Sequence, residues 1–70
     1  MLADNFRKNL NYEMARQGLS IKKLSEAMNT SFEWVRMIRI GGYSPRLDSV
    51  EKFAKALGVD PVAMLEEWEE

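Results

Sequence analysis

A chain of 70 residues with a formal net charge of −1 is long enough for one small domain, whose hydrophobic core is only marginally sufficient. It has no cysteine and no histidine, which excludes a disulfide framework, thiolate or imidazole metal sites, and the commonest general base. Its apolar runs are short and periodic, so the sequence predicts neither a signal peptide nor a membrane span and favours a cytoplasmic protein.

The first predicted helix covers residues 2–17. Phe6, Leu10 and Met14 recur every four residues and form an inner stripe. Asp4 is a candidate cap, and Gly18 supplies the C-terminal stop. The spacing therefore predicts a helix whose role is packing.

A second helix is predicted to begin after Ser20, which is a good N-terminal cap. Ile21, Leu24 and Met28 then fall at i, i+3 and i+7 and form a single buried stripe. Residues 29–31 break this pattern with side chains that tolerate turn geometry, and Asn29 can adopt a left-handed conformation.

A third helix follows this turn, with Ser31 as its cap. Val35 and Ile38 form its inner face, and Gly41 can take the left-handed conformation that ends helices. Two short helices joined by a tight turn make a helix-turn-helix, with its core at residues 20–41.

Two more helices are predicted beyond a loop at residues 42–46, which glycine and proline mark. The fourth covers residues 47–57, and its inner face is formed by Leu47, Val50, Phe53, Ala54 and Leu57. Asp60 and Pro61 then serve as the cap and first-turn proline of a short fifth helix that ends near residue 68. The whole chain is thus predicted to be α-helical.

The predicted helix-turn-helix resembles the Cro and phage-repressor class, also called the XRE family, over LSIKKLSEAMNTSFEWVRMIRIGG. The segment SPRLDSVEKFAKALGVDP is similar to the loop and fourth helix that follow in that family. The resemblance implies an all-α, compact five-helix, lambda-repressor-like bundle, formed by residues 1–70 as a single domain. It also implies sequence-specific binding of double-stranded operator DNA by a phage-repressor, Cro or restriction-controller type of regulator, usually as a homodimer.

Three positions depart from the family pattern. Ile21 stands where a glutamine commonly opens the second helix, and Ser25 replaces the alanine usual at the close contact between the second and third helices. Asn29 replaces the turn glycine. Serine is nearly as small as alanine, and asparagine tolerates the left-handed region, so both changes are mild.

Base reading is assigned by the resemblance to the start of the third helix and to the residues one turn on, which here are Phe32, Glu33, Arg36 and Met37. Arg36 can make a bidentate contact with guanine, and Glu33 can accept a hydrogen bond from cytosine N4. Phe32 and Met37 could pack on thymine methyl groups. We expect Arg36 to contribute most to specificity.

Phosphate contacts are expected from polar residues around the second and third helices: Ser20, Lys22, Lys23, Ser31, Arg39, Tyr43, Ser44 and Arg46. The free amides at the two helix N-termini are further candidates. Each residue also has a simpler interpretation, because Ser20 and Ser31 are needed as caps whatever the function, and lysines on a helix exterior are most often solvated.

The charge distribution bears on this hypothesis. Four of the eleven acidic residues are Glu66, Glu67, Glu69 and Glu70, and the remaining chain has ten basic and seven acidic residues, a net charge of +3. A local basic surface is therefore compatible with the sequence. The acidic segment is interpreted as a solvated tail that lies away from DNA.

The apolar content of the third helix leaves a second hypothesis open. Phe32, Trp34, Met37 and Ile40 exceed what thymine methyl groups require, and exposed apolar patches usually bind protein. The helix could therefore belong to a protein–protein interaction module. In a simpler interpretation, Trp34 folds back against the second helix or the loop.

A dimer interface is predicted at the C-terminal apolar residues, Val59, Val62, Met64, Leu65 and Trp68. These residues could instead complete the core of the monomer. No catalytic constellation, metal site or cofactor motif is found, and we expect a non-enzymatic protein without cofactor or small-molecule substrate.

Overall fold

The computed structural model describes residues 2–66 of the chain. These residues form four α-helices, α1 (Leu2–Gln17), α2 (Ile21–Met28), α3 (Phe32–Ile40) and α4 (Leu47–Leu57), followed by a 3-10 turn at Ala63–Leu65. No strand occurs in the described part, so the predicted all-α class is confirmed. The bounds of α1 to α4 agree with the four helices predicted from periodicity and caps.

All four helices and the 3-10 turn contribute side chains to one core. Its buried members are Phe6, Leu10, Met14, Leu24, Val35, Ile38, Val50, Phe53, Ala54, Leu57 and Met64. The rings of Phe6 and Phe53 meet edge to face, with 5.4 Å between their centroids, and join α1 to α4. The predicted stripes of α1, α2 and α3 therefore face inward together.

The turn between α2 and α3 forms as its residues predict. Asn29 has a φ of 56°, and its amide ends α2 by donating to the carbonyl oxygens of Glu26 and Ser25. Ser25 is buried, and its hydroxyl donates to the carbonyl oxygen of Lys22 at 2.8 Å. A small side chain with a local hydrogen-bond partner can be buried without leaving a polar group unsatisfied.

Helix α1 holds the side and the end of α3. The Arg39 Nε donates to the Asn11 Oδ1 at 2.7 Å, across 28 residues of sequence. The Arg7 guanidinium lies against Gly41, where a Cβ atom would collide with it. A cation at this end of α3 is favourably placed relative to the helix dipole.

The prediction of a fifth α-helix is wrong within the described residues. Only Ala63–Leu65 is helical, as a 3-10 turn, and Glu66 is extended with a ψ of 142°. The Asn9 Nδ2 of α1 donates to the carbonyl oxygens of Met64 at 3.1 Å and Glu66 at 2.9 Å. Those two oxygens would accept from amides four residues on if an α-helix continued, so their contact with Asn9 favours the observed end.

Two smaller predictions are corrected. Leu47 does not join the core and is 70% exposed, because side chains tilt toward the helix N-terminus and that of a first residue projects beyond the helix end. Asp4 does not cap α1 but lies in its first turn, where it accepts a hydrogen bond from Arg7 at 3.3 Å.

Candidate nucleic-acid interface

The outward face of α3 is set by its two inward residues. Val35 and Ile38 are buried, and the side chains of Glu33, Arg36 and Ile40, about half a turn of helix away, are exposed. Ser31 caps this helix, because its Oγ accepts from the Trp34 amide at 3.1 Å. The core thus orients a short helix with its polar side chains in solvent.

Arg36 and Glu33 form a bidentate ion pair, or fork, on this face. The Arg36 Nη2 lies 2.9 Å from the Glu33 Oε1, and the Arg36 Nε lies 3.2 Å from the Glu33 Oε2. The hydrogen bond from Arg36 lowers the pKa of Glu33 below its ordinary value, and the same contact raises the pKa of Arg36. Both side chains therefore stay charged at neutral pH.

The other two predicted base-reading residues differ in exposure. Phe32, at the start of α3, is 49% exposed. Met37 is half-buried, and its Cε lies against Gly42, so its side chain turns toward the loop after α3. The structure thus brings Phe32, Glu33 and Arg36 to the outer face and places Met37 at its edge.

Trp34 leaves the outer face of α3. Its indole stacks on Phe53 of α4, with 5.4 Å between the ring centroids. It therefore folds back onto the core, as the simpler interpretation held, and its stacking partner belongs to α4. Phe32 and Ile40 remain as the exposed apolar side chains of α3.

The predicted phosphate-binding residues lie around the helix-turn-helix. The Ser20 Oγ accepts from the Lys23 amide at 3.1 Å and caps α2. Each capping serine keeps its own hydroxyl proton, which can still be donated to a phosphate oxygen. Lys22, Lys23, Tyr43, Ser44 and Arg46 are exposed, whereas Arg39 is half-buried against Asn11.

A protein-family model described as Helix-turn-helix matches residues 10–63 of the 70. The chain belongs to this Cro/C1-type helix-turn-helix family, the XRE family. It is accordingly a DNA-binding helix-turn-helix regulator, with double-stranded DNA as its partner. No curated protein and no solved structure gives a significant match.

The C-terminal apolar residues of this helix-turn-helix protein separate into buried and exposed members. Met64 is 1% exposed and belongs to the core, whereas Val62 is 69% exposed. Val59 and Leu65 are half-buried, and Trp68 lies outside the described residues. A groove of about 420 Å³ runs between α1 and this segment and is lined by Asn9, Tyr12, Glu13, Val59, Ala63, Met64 and Glu66.

Neither a metal-binding cluster nor a membrane-spanning helix is found in the described part of this helix-turn-helix protein. Within residues 2–66 no group of three or more His, Cys, Asp or Glu side chains is placed to hold a metal ion. None of the described helices combines the length and the apolar character that crossing a bilayer requires.

The sequence carries no signal for the contacts through which other helices position α3. Asn11, Arg7 and Phe53 contact α3 from other helices of this helix-turn-helix fold. Phe53 was predicted only as a core residue, and Asn11 carries no local pattern that distinguishes it from a solvated asparagine. Contacts between residues far apart in sequence leave no periodicity to read.

Proposed function

We propose that this protein is a sequence-specific transcriptional repressor that inserts α3 into the major groove of a palindromic operator. The observation that carries the proposal is the outer face of α3, which presents Glu33 and Arg36 in solvent while Val35 and Ile38 fix the helix from below. The major groove admits an α-helix, and each base pair there presents a distinct set of donors and acceptors. As a repressor, the protein would occupy sequence that polymerase needs.

Phosphate contacts would hold α3 in register. The capped N-termini of α2 and α3 offer serine hydroxyls and free amides, which suit phosphate oxygens. Lys22 and Lys23 beside the first of these caps, and Tyr43, Ser44 and Arg46 after α3, are exposed. Arg39 would contribute only the guanidinium nitrogens that its bond to Asn11 leaves over.

A homodimer would read two half-sites. One α3 helix contacts too few base pairs for selective binding, and two-fold pairing on a palindrome doubles the contact. Val62 is the strongest interface candidate because it is exposed, and half-buried Val59 and Leu65 lie near it in sequence. Met64 would support this surface from the core.

The second candidate function is protein binding through α3. Phe32 and Ile40 favour it, because both are exposed apolar side chains on that helix. The stacking of Trp34 on Phe53 reduces the apolar area available for such a partner. DNA binding therefore accounts for more of the exposed face, which includes the charged pair.

The experiment is a selection from a randomised duplex pool at low salt, with sequencing of the retained DNA. The expected result is an enriched palindrome whose half-sites lie about 10 base pairs apart. Analytical ultracentrifugation of the wild type and of Val62→Glu, each with and without that site, tests the pairing. Failure to enrich any sequence would contradict the proposal, and salt-insensitive self-association that buries tryptophan would favour the second candidate.

A further inference from the structure

We infer that Glu33 is a positioning residue which holds Arg36 for a single guanine, so that the two side chains read one G·C base pair as a unit. The inference rests on the proposed insertion of α3 into the major groove. It replaces two independent contacts, one from Arg36 to guanine and one from Glu33 to cytosine, with a single coupled contact.

The edges of the guanidinium group carry the argument. The edge formed by Nε and Nη2 is already held by both oxygens of Glu33, at 3.2 and 2.9 Å. The opposite edge, formed by Nη1 and Nη2, has two parallel N–H bonds, and the described residues supply no acceptor to it. That pair of donors matches the O6 and N7 acceptors of guanine in the major groove.

The contact between Glu33 and Arg36 should act mainly once α3 lies in the groove. In water the contact is weak, because both side chains are exposed and an ion pair of this kind is readily broken. When α3 enters the groove and water is displaced, a charge-assisted bidentate pair becomes stronger. The pair is thus expected to matter in the complex and little for the free protein.

The same pair should weaken binding to unselected DNA. Non-specific affinity comes from basic side chains that neutralise phosphates, and the carboxylate of Glu33 both compensates the charge of Arg36 and repels the DNA backbone. Glu33 therefore disfavours every site at which Arg36 finds no guanine. Removal of its charge should raise overall affinity and lower discrimination, and a merely structural residue would not produce that combination.

The test compares Glu33→Gln, Glu33→Ala, Arg36→Ala and the double variant Glu33→Ala/Arg36→Ala. Binding is measured to the selected operator, to its single-base variants and to a random duplex, at two salt concentrations. Glu13→Gln is the matched control, because Glu13 pairs with Arg16 at the same i, i+3 spacing on α1, and the change in net charge is identical.

Glu33→Gln should bind the random duplex several-fold more tightly and should lose about 5-fold or more of the guanine preference that Arg36→Ala abolishes. The double variant should distinguish guanine from the other bases no worse than Arg36→Ala does, because either change already removes the single contact that the two residues make together. Glu13→Gln should leave guanine preference at the wild-type level. Circular dichroism should show that all the variants fold, because Glu33 and Arg36 are exposed and glutamine nearly matches glutamate in size at half-buried Glu13.

Two outcomes would overturn the inference. In the first, Glu33→Ala removes preference at a separate base pair and leaves the guanine preference intact, which would mean that Glu33 reads cytosine by itself. In the second, the effects of the two single alanine variants add in the double variant. Both of these outcomes leave the proposed function standing, because they require an operator that the wild type selects. Failure of the wild type to select any operator would instead overturn the proposed function itself, so the two failures are distinguishable.

Discussion

The indole ring of Trp34 lies nearly parallel to the ring of Phe53, with 5.4 Å between the centroids and 19° between the planes. Phe53 in turn meets Phe6 edge to face, so three aromatic rings connect α3 with α4 and α1. A helix of only nine residues is thereby tied to the centre of the core. The direction of its outer face follows from this packing.

Replacement of Trp34 by alanine should lower the free energy of unfolding by about 2 to 4 kcal/mol, because it removes a stacked ring and leaves a cavity over Phe53. Urea denaturation measures the loss. Phe32→Ala is the control on the same helix, and its effect should stay within about 0.5 kcal/mol because Phe32 is exposed. Equal losses would contradict the assigned role of the stack.

Replacement of Gly41 by alanine should cost more stability than Gly18→Ala. Both glycines have positive φ, 86° and 67°, so each alanine variant should lose about 1 kcal/mol from backbone strain. At Gly41 the new methyl group also displaces the Arg7 guanidinium from the end of α3, whereas nothing lies within 4 Å at Gly18. The additional loss should be about 0.5 kcal/mol.

A double-mutant cycle checks this contact. Arg7→Ala should cost less in the Gly41→Ala background than in the wild type, since the contact has already been lost there. Identical costs in the two backgrounds, measured by thermal unfolding, would show that Arg7 does not stabilise the end of α3.

Replacement of Ser31 by aspartate should separate its capping role from its proposed phosphate role. Aspartate is as good a cap as serine and suits the positive end of the helix dipole, so stability should change by less than about 0.5 kcal/mol. Affinity for the operator should nevertheless fall at least about 10-fold, because a donor is replaced by a charge that repels phosphate. Ala15→Glu, at an exposed position of α1, adds the same charge as a control.

The result for Ser31→Asp is read from filter binding together with a melting curve. Preserved affinity alongside preserved stability would remove Ser31 from the phosphate contacts and leave it as a cap only.

Acid titration should show that the pKa of Glu33 depends on Arg36. The hydrogen bond from Arg36 lowers this pKa from its ordinary value of 4.5. The contribution of the ion pair to folding stability is therefore complete above pH 4.5 and is lost as the pH falls through the lowered pKa. In carboxyl-carbon NMR the midpoint for Glu33 should therefore rise in Arg36→Ala. Glu13 should respond to Arg16→Ala in the same direction, and an unchanged Glu33 midpoint would mean that the fork does not persist in solution.

The sequence predicted the elements that depend on local patterns. The caps at Ser20 and Ser31 and the left-handed residues Asn29 and Gly41 fix the bounds of α2 and α3, and each acts within a few residues of its own position. The same holds for the buried stripe of α1. The roles of Phe32, Glu33, Arg36 and Met37 on DNA stay predictions.

The larger differences from the predictions arose where a distant residue decides the outcome, whereas Leu47 and Asp4 differ for reasons local to the first turn of their helices. The fifth helix had a plausible cap and apolar spacing, but Asn9, 55 residues before Met64, donates to the Met64 carbonyl oxygen that the helix would have used. The sequence places Trp34 with the apolar residues around the outer face of α3, whereas in the structure its indole stacks on Phe53 of α4. Periodicity states which side chains share a face, and it does not state what lies opposite that face.

The side-chain amide of Asn9 also joins the two ends of the described chain. Its nitrogen donates within α1 to the carbonyl oxygen of Asn5 and, across the molecule, to those of Met64 and Glu66. Opening either end separates the same donor from its acceptors, so neither end can fray without weakening the other. Amide hydrogen exchange around Asn9 and around Met64 should therefore proceed with one common opening free energy, as a single cooperative unit.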